Sequence, residues 1–96
     1  MTTFIVRVEL HSAEPEDYED LHARMESAGY QRRITADSGV TYQLPDAEYI
    51  RFPATGLSAT DIGQEVYKIA DNVKLGPGVL VTEAASIEVI GLRKPV

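Results

Sequence analysis

The sequence predicts a single α+β domain spanning residues 1–96, with two helices laid on one face of an antiparallel sheet. Three observations predict it. Residues 3 to 11 alternate apolar and polar, residues 62 to 73 carry an apolar stripe at helical spacing, and Asp37-Ser38-Gly39 supplies turn chemistry between two runs of strand formers. Strands and helices therefore interleave along the chain.

In the first strand, Phe4, Val6, Val8 and Leu10 fall on one side and Ile5, Arg7, Glu9 and His11 on the other, the pattern of a sheet with one buried face. Pro15 suits the first position of a helix. Ser12 or Glu14 precedes it as a cap, and Glu16 and Asp17 suit the positive end of the helix dipole. Tyr18, Leu21, Met25 and Ala28 draw the apolar stripe of this helix, Gly29 stands where it should stop, and His22 and Arg24 fall on opposite flanks of the stripe. Tyr30 to Ala36 and Val40 to Leu44 form a hairpin. Ala47 to Phe52 either continues that sheet after a bulge or adds a separate edge strand, and Pro53 ends it.

The second helix is strongly signalled. Ser58 is its N-cap with Asp61 three residues on, Leu57 and Ile62 have the spacing of a hydrophobic staple, and Ile62, Val66, Ile69, Ala70 and Val73 form the buried stripe. Lys74 to Gly78 is a break, Val79 to Thr82 a strand, and Ile87 to Leu92 an extra C-terminal edge strand or a dimer contact. The order βαββαβ is that of a ferredoxin-like sandwich. In it the second sheet face stays open, with Ile5, Arg7, Glu9 and His11 across its middle.

Composition narrows the chemistry. A net charge of -6 works against generic affinity for a phosphate backbone, although the acids crowd into residues 14 to 26 and leave room for a local basic surface. With no cysteine there is neither a disulfide framework nor a thiolate metal site. No apolar run reaches the ~20 residues that span a bilayer, and no basic leader precedes Arg7, so a cytoplasmic location without membrane contact is expected. Phosphate loops, dinucleotide fingerprints, HExxH and nucleophile elbows are all missing.

What remains is a sparse polar set. Histidine as a residue type suits proton transfer near neutrality, so His11 and His22 could act as base and acid in cleaving RNA through its own 2′-hydroxyl, a reaction that needs no metal. Arg32 and Arg33 are neighbours on a strand and point to opposite faces, so only one of them can join Arg7 or Arg51 on a shared surface. Guanidinium forks suit phosphate oxygens. Tyr30, Tyr42 and Tyr49 could stack bases on the sheet, although such tyrosines are more often half-buried strand residues.

Phe4-Ile-Val-Arg-Val-Glu-Leu-His11, Asp17-Tyr-Glu-Asp-Leu-His22, Met25-Glu-Ser-Ala-Gly-Tyr30 and Ile34-Thr-Ala-Asp-Ser-Gly-Val-Thr-Tyr-Gln-Leu-Pro45 together resemble the GhoS family, small bacterial antitoxins of type V toxin-antitoxin pairs. The likeness covers roughly residues 3 to 83 in the same element order. It implies a ferredoxin-like fold akin to the CRISPR-associated ferredoxin-like endoribonucleases. It also implies sequence-selective cutting of a toxin messenger RNA, without contact to the toxin protein itself. Where the family's namesake has Arg-Leu-Arg on the first helix, this chain has Asp20-Leu21-His22. Where the CRISPR-associated relatives hold metal near the end of the first strand, it has Glu9-Leu10-His11, and no metal or other cofactor is expected. The combined expectation is a homodimer acting on single-stranded RNA, with Arg7, Arg24, Arg32, Arg33 and Arg51 on phosphates and His22 or His11 in proton transfer. The alternative is a non-catalytic dimeric binding or regulatory module of the same fold.

Overall fold

A computed structural model describes residues 3–52 and 56–95. The elements run β1 (Thr3–Glu9), α1 (Pro15–Ser27), β2 (Arg33–Thr35), β3 (Thr41–Gln43), β4 (Glu48–Arg51), α2 (Ala59–Val73) and β5 (Gly78–Ala84). This is an α+β arrangement with two helices and antiparallel sheets. Pro53 lies outside the described residues.

β1 is the central strand of the order β4-β1-β5, with Val6 opposite both Tyr49 and Val81. Its alternation is realised as expected: Phe4, Val6, Val8 and Leu10 are buried with Leu21 and Met25 of α1 and Ile62, Val66 and Ala70 of α2. Burying these side chains is the main driving force for the domain.

The hairpin departs from the expected continuous sheet. β2 and β3 form a separate two-stranded sheet, and residues 48–51 do not continue the hairpin but form the separate edge strand that the sequence also allowed, at one side of the three-stranded sheet beside β1. The cause lies between β3 and β4. Pro45 has no N–H for a ladder, and Ala47 at φ 64° turns the chain, a conformation that L residues other than glycine adopt rarely. The two sheets stay linked through Gln31 and Ile50, which exchange two backbone hydrogen bonds of 2.8 Å. The strand order thus differs from a single ferredoxin-like ladder.

Residues 87–92 are not a strand. They fold back within the chain, where Val89 and Leu92 pack on Ile34, Leu44 and Ile50 alongside Ile5 and Tyr42. The Gln43 N–H donates to the Arg93 carbonyl at 2.6 Å and holds the segment there. The sheet face expected to be open is therefore covered around Ile5. Leaving Ile34 and Ile50 bare would have put apolar surface in water on a chain this small, and the C-terminal segment removes it.

Helix ends follow local chemistry. Glu14, not Ser12, is the N-cap of α1, and its N–H donates to the Asp17 carboxylate at 2.9 Å. Gly29, at φ 96°, turns the chain out of the helix, and a Cβ there would sit 3.2 Å from Arg51 Nη1. Ser58 caps α2 by accepting from the Asp61 N–H at 3.2 Å, while the Ser58 N–H donates back to the Asp61 carboxylate at 3.0 Å. The Ser58 N–H and hydroxyl, each donating to the Asp61 carboxylate at 3.0 Å, hold that carboxyl below its usual range. Ser58→Ala should destabilise the domain by about 1 kcal/mol, read as a lower urea midpoint with unchanged slope. No helix among the described residues is long and apolar enough to cross a membrane.

Candidate functional site

α1 turns its apolar stripe onto β1 and β4, which leaves His22 on the flank of the stripe facing the start of β4. There Tyr49, fully buried because β4 pairs with the central strand, reaches it: His22 Nδ1 and the Tyr49 hydroxyl are 2.6 Å apart, with the rings tilted at 57° and centroids 5.7 Å apart. The pair sits beside a cleft of about 450 Å³ lined by Arg7, Glu9, Tyr18, Glu19, His22 and Asp46 together with Val8, Pro15 and Ala47. Tyr18 is fixed in its wall by its hydroxyl, which accepts from the Leu10 N–H at 3.2 Å and donates to the Leu10 carbonyl at 3.3 Å.

The protons in this pair can be assigned by counting partners. Burial raises the Tyr49 phenol well above its ordinary value, so it stays protonated. Its hydroxyl has no other partner among the described residues and is buried, so its hydrogen goes to His22 Nδ1. That fixes His22 as the Nε2–H tautomer. Burial, then the nearby Arg32 charge, lowers the His22 pKa below the ordinary 6.5, which makes the ring neutral at pH 7. The resting site offers an imidazole N–H donor to an acceptor such as a phosphate oxygen. For Nε2 to take up a proton, the Tyr49 hydroxyl must turn and accept from Nδ1–H instead.

This shift has a stability consequence. The unfolded chain takes up a proton at His22 more readily than the folded one, so folding stability is present above pH 6.5 and falls as the pH drops below it toward the folded-state pKa. Urea midpoints at pH 7 and pH 5.5 should differ more for the native chain than for His22→Asn; equal differences would contradict it.

The other expected site residues are dispersed. Arg7 lines the His22 cleft. Arg32, with its side chain 24% exposed, stands 3.6 Å from Asp46 and acts on the cleft through that contact, its buried Nε lacking a partner. Arg33 is exposed and shares with Arg32 a second groove of about 510 Å³ that includes Gln31 and Gln43. Arg24 lies on the outer flank of α1 in an ion pair with Asp20 at 2.9 Å. His11 is exposed and 3.4 Å from Glu9, outside the cleft lining.

Arg51 serves the fold. Only 19% exposed, it donates to the Ala28 carbonyl at 2.7 Å, stands 3.6 Å from Glu65, and lies 4.9 Å from the Tyr30 ring centre. Tyr30 in turn donates to Glu65 at 2.7 Å. Tyr30 and Tyr49 are fully buried and Tyr42 packs in the second cluster, so none of the three forms a stacking platform. Sequence reasoning missed Asp46 and Tyr18 as site residues and took Tyr49 only as a possible base-stacking side chain, not as the partner of His22. Among the described residues no cluster of three or more His, Asp or Glu side chains is placed to hold a metal ion.

No protein-family model matches the chain, and no curated protein matches it.

Proposed function

We propose that the chain is an endoribonuclease-type antitoxin of the GhoS kind, cutting single-stranded toxin messenger RNA at the His22 cleft. The observation that carries this reading is the His22–Tyr49 pair: an accessible neutral imidazole with a defined tautomer, set beside Arg7 in a cleft. Tyr18, Glu19 and His22, from the Asp17–His22 run that carries the resemblance, line one wall of it. The ferredoxin-like assignment belongs to the same proposal. It treats β3 and β4 as one strand interrupted at Pro45 to Ala47, and it is supported by the isolated Gln31–Ile50 bridge, which sets the chain just ahead of β2 beside β4.

In this mechanism Arg7 holds a phosphate of the RNA, and His22 Nε2 takes the proton from the 2′-hydroxyl once the Tyr49 hydroxyl accepts from Nδ1–H. The 2′-oxygen then attacks the adjacent phosphorus, the phosphorus–5′-oxygen bond breaks and the 5′-oxygen takes a proton from water, giving a 2′,3′-cyclic phosphate and a free 5′-hydroxyl, while the imidazolium returns its proton to solvent. Labelled single-stranded RNA incubated with the purified protein should be cut equally with and without EDTA. Intact RNA after prolonged incubation would overturn the catalytic claim.

A second reading, a non-catalytic binding or regulatory module of the same fold, is favoured by the ion pairs that hold Arg24, Arg32 and Arg51 on Asp20, Asp46 and Glu65. It is further favoured by the resting tautomer, which is a donor rather than a base. That module would leave RNA uncut and bind a protein partner through apolar contact that salt weakens little, whereas RNA contact weakens steeply with ionic strength.

A further inference from the structure

The sheet stops at β5 with one side of that strand unused. All seven residues of β5 pair with β1, from Thr3 opposite Ala84 to Glu9 opposite Gly78, and among the described residues no further backbone group hydrogen-bonds to residues 78–84. Proteins usually blunt such an edge with lysine, proline, a bulge or a covering segment. β5 has no lysine, no proline and no break in its register, and its one charge is Glu83. Two exposed apolar side chains flank the edge. Leu80 is 63% exposed on the face away from the helices, and Tyr67 of α2 is 44% exposed on the other. Tyr67 lines a shallow groove with Gly63, Lys68, Pro77 and Val79, where α2 runs beside the strand.

We propose that this edge docks a second copy of the chain, β5 against β5 and antiparallel, to make one continuous six-stranded sheet. A two-fold axis normal to the sheet keeps the helices of both copies on one side, and only registers that pair residues of equal parity satisfy it. Centring the pairing on Val81 uses the whole strand: Gly78 meets Ala84, Val79 meets Glu83, and Leu80 meets Thr82. The strand is complementary to itself in this register. Glu83 faces Val79 of the other copy, so like charges do not oppose each other across the ladder. Val79 and Lys68 line the same groove, so the carboxylate of one copy arrives beside the ammonium of the other. The two Leu80 side chains become diagonal neighbours and cover each other, and the two α2 helices bring their Tyr67 faces together. One contact thereby accounts for the bare edge, the exposed leucine and the lysine-bearing groove. It does not depend on the RNA reading.

Light scattering and sedimentation of the full chain over a wide concentration range should show a reversible dimer. Outer-edge amides of β5 should become protected from hydrogen exchange as concentration rises. Leu80→Lys should weaken the dimer by about tenfold or more, as should Lys68→Glu, while Lys68→Glu combined with Glu83→Lys should restore it. All three side chains are exposed, so unchanged circular dichroism is expected for each variant. A chain that stays monomeric up to millimolar concentration would overturn the proposal. So would a dimer indifferent to Leu80→Lys and to the charge exchange, since it would form through another face.

Discussion

His22→Ala is expected to lower cleavage of single-stranded RNA by about 10²- to 10⁴-fold, the range that a positioned proton-transfer group contributes. The substitution also strips the buried Tyr49 hydroxyl of its partner, which costs stability on the order of 1–3 kcal/mol. Activity is therefore to be compared at a temperature where both proteins are folded. Tyr49→Phe separates the two effects. It keeps the imidazole together with the burial and the Arg32 charge that lower its pKa, and removes only the hydrogen bond at Nδ1 that selects the tautomer, so the rate should change while the acid limb of its pH profile stays in place. A rate unchanged in Tyr49→Phe would show that the tyrosine does not set the tautomer of the histidine.

Ile50→Ala should cost about 2–4 kcal/mol, as expected for deleting most of a fully buried side chain from a packed cluster. Ile50 lies where Ile34, Leu44 and the C-terminal segment meet, on the side of the sheet away from the helices. If that face were open, the same substitution would remove little buried contact and cost under about 1 kcal/mol. Leu92→Asp should be destabilising too, through a charge placed against the cluster. Equilibrium urea unfolding of the two variants at neutral pH decides between a covered and an open face.

Local features of the fold were legible because they rest on neighbours in sequence. The alternation through β1, the Ser58 and Asp61 cap, the α2 stripe and the stop at Gly29 all depend on residues within a turn or two of one another. The break between β3 and β4 was harder to place, since it needs Ala47 in a left-handed conformation that its side chain does not advertise. The return of residues 87–92 was misread because Ile87 and Val89 also fit an edge strand. The cover they provide becomes visible only once Ile34 and Ile50 are seen to share a face.

The site divides in the same way. Arg24 with Asp20 is an i, i+4 pair that helix spacing foretells. Tyr49 is 27 residues from His22, Arg32 is 14 from Asp46 and Arg51 is 14 from Glu65 in the chain. Those contacts are made by tertiary packing and leave no spacing signal. His22 could be singled out by its chemistry, but its environment could not.

Nitrogen-15 NMR of the histidine side chains, followed through a pH titration with and without a single-stranded RNA oligonucleotide, addresses the His22 cleft most directly. His22 should hold its proton on Nε2 at neutral pH, titrate below 6.5, and shift when the oligonucleotide is added. An imidazole that exchanges freely between tautomers, titrates at the ordinary value and ignores RNA would contradict the account.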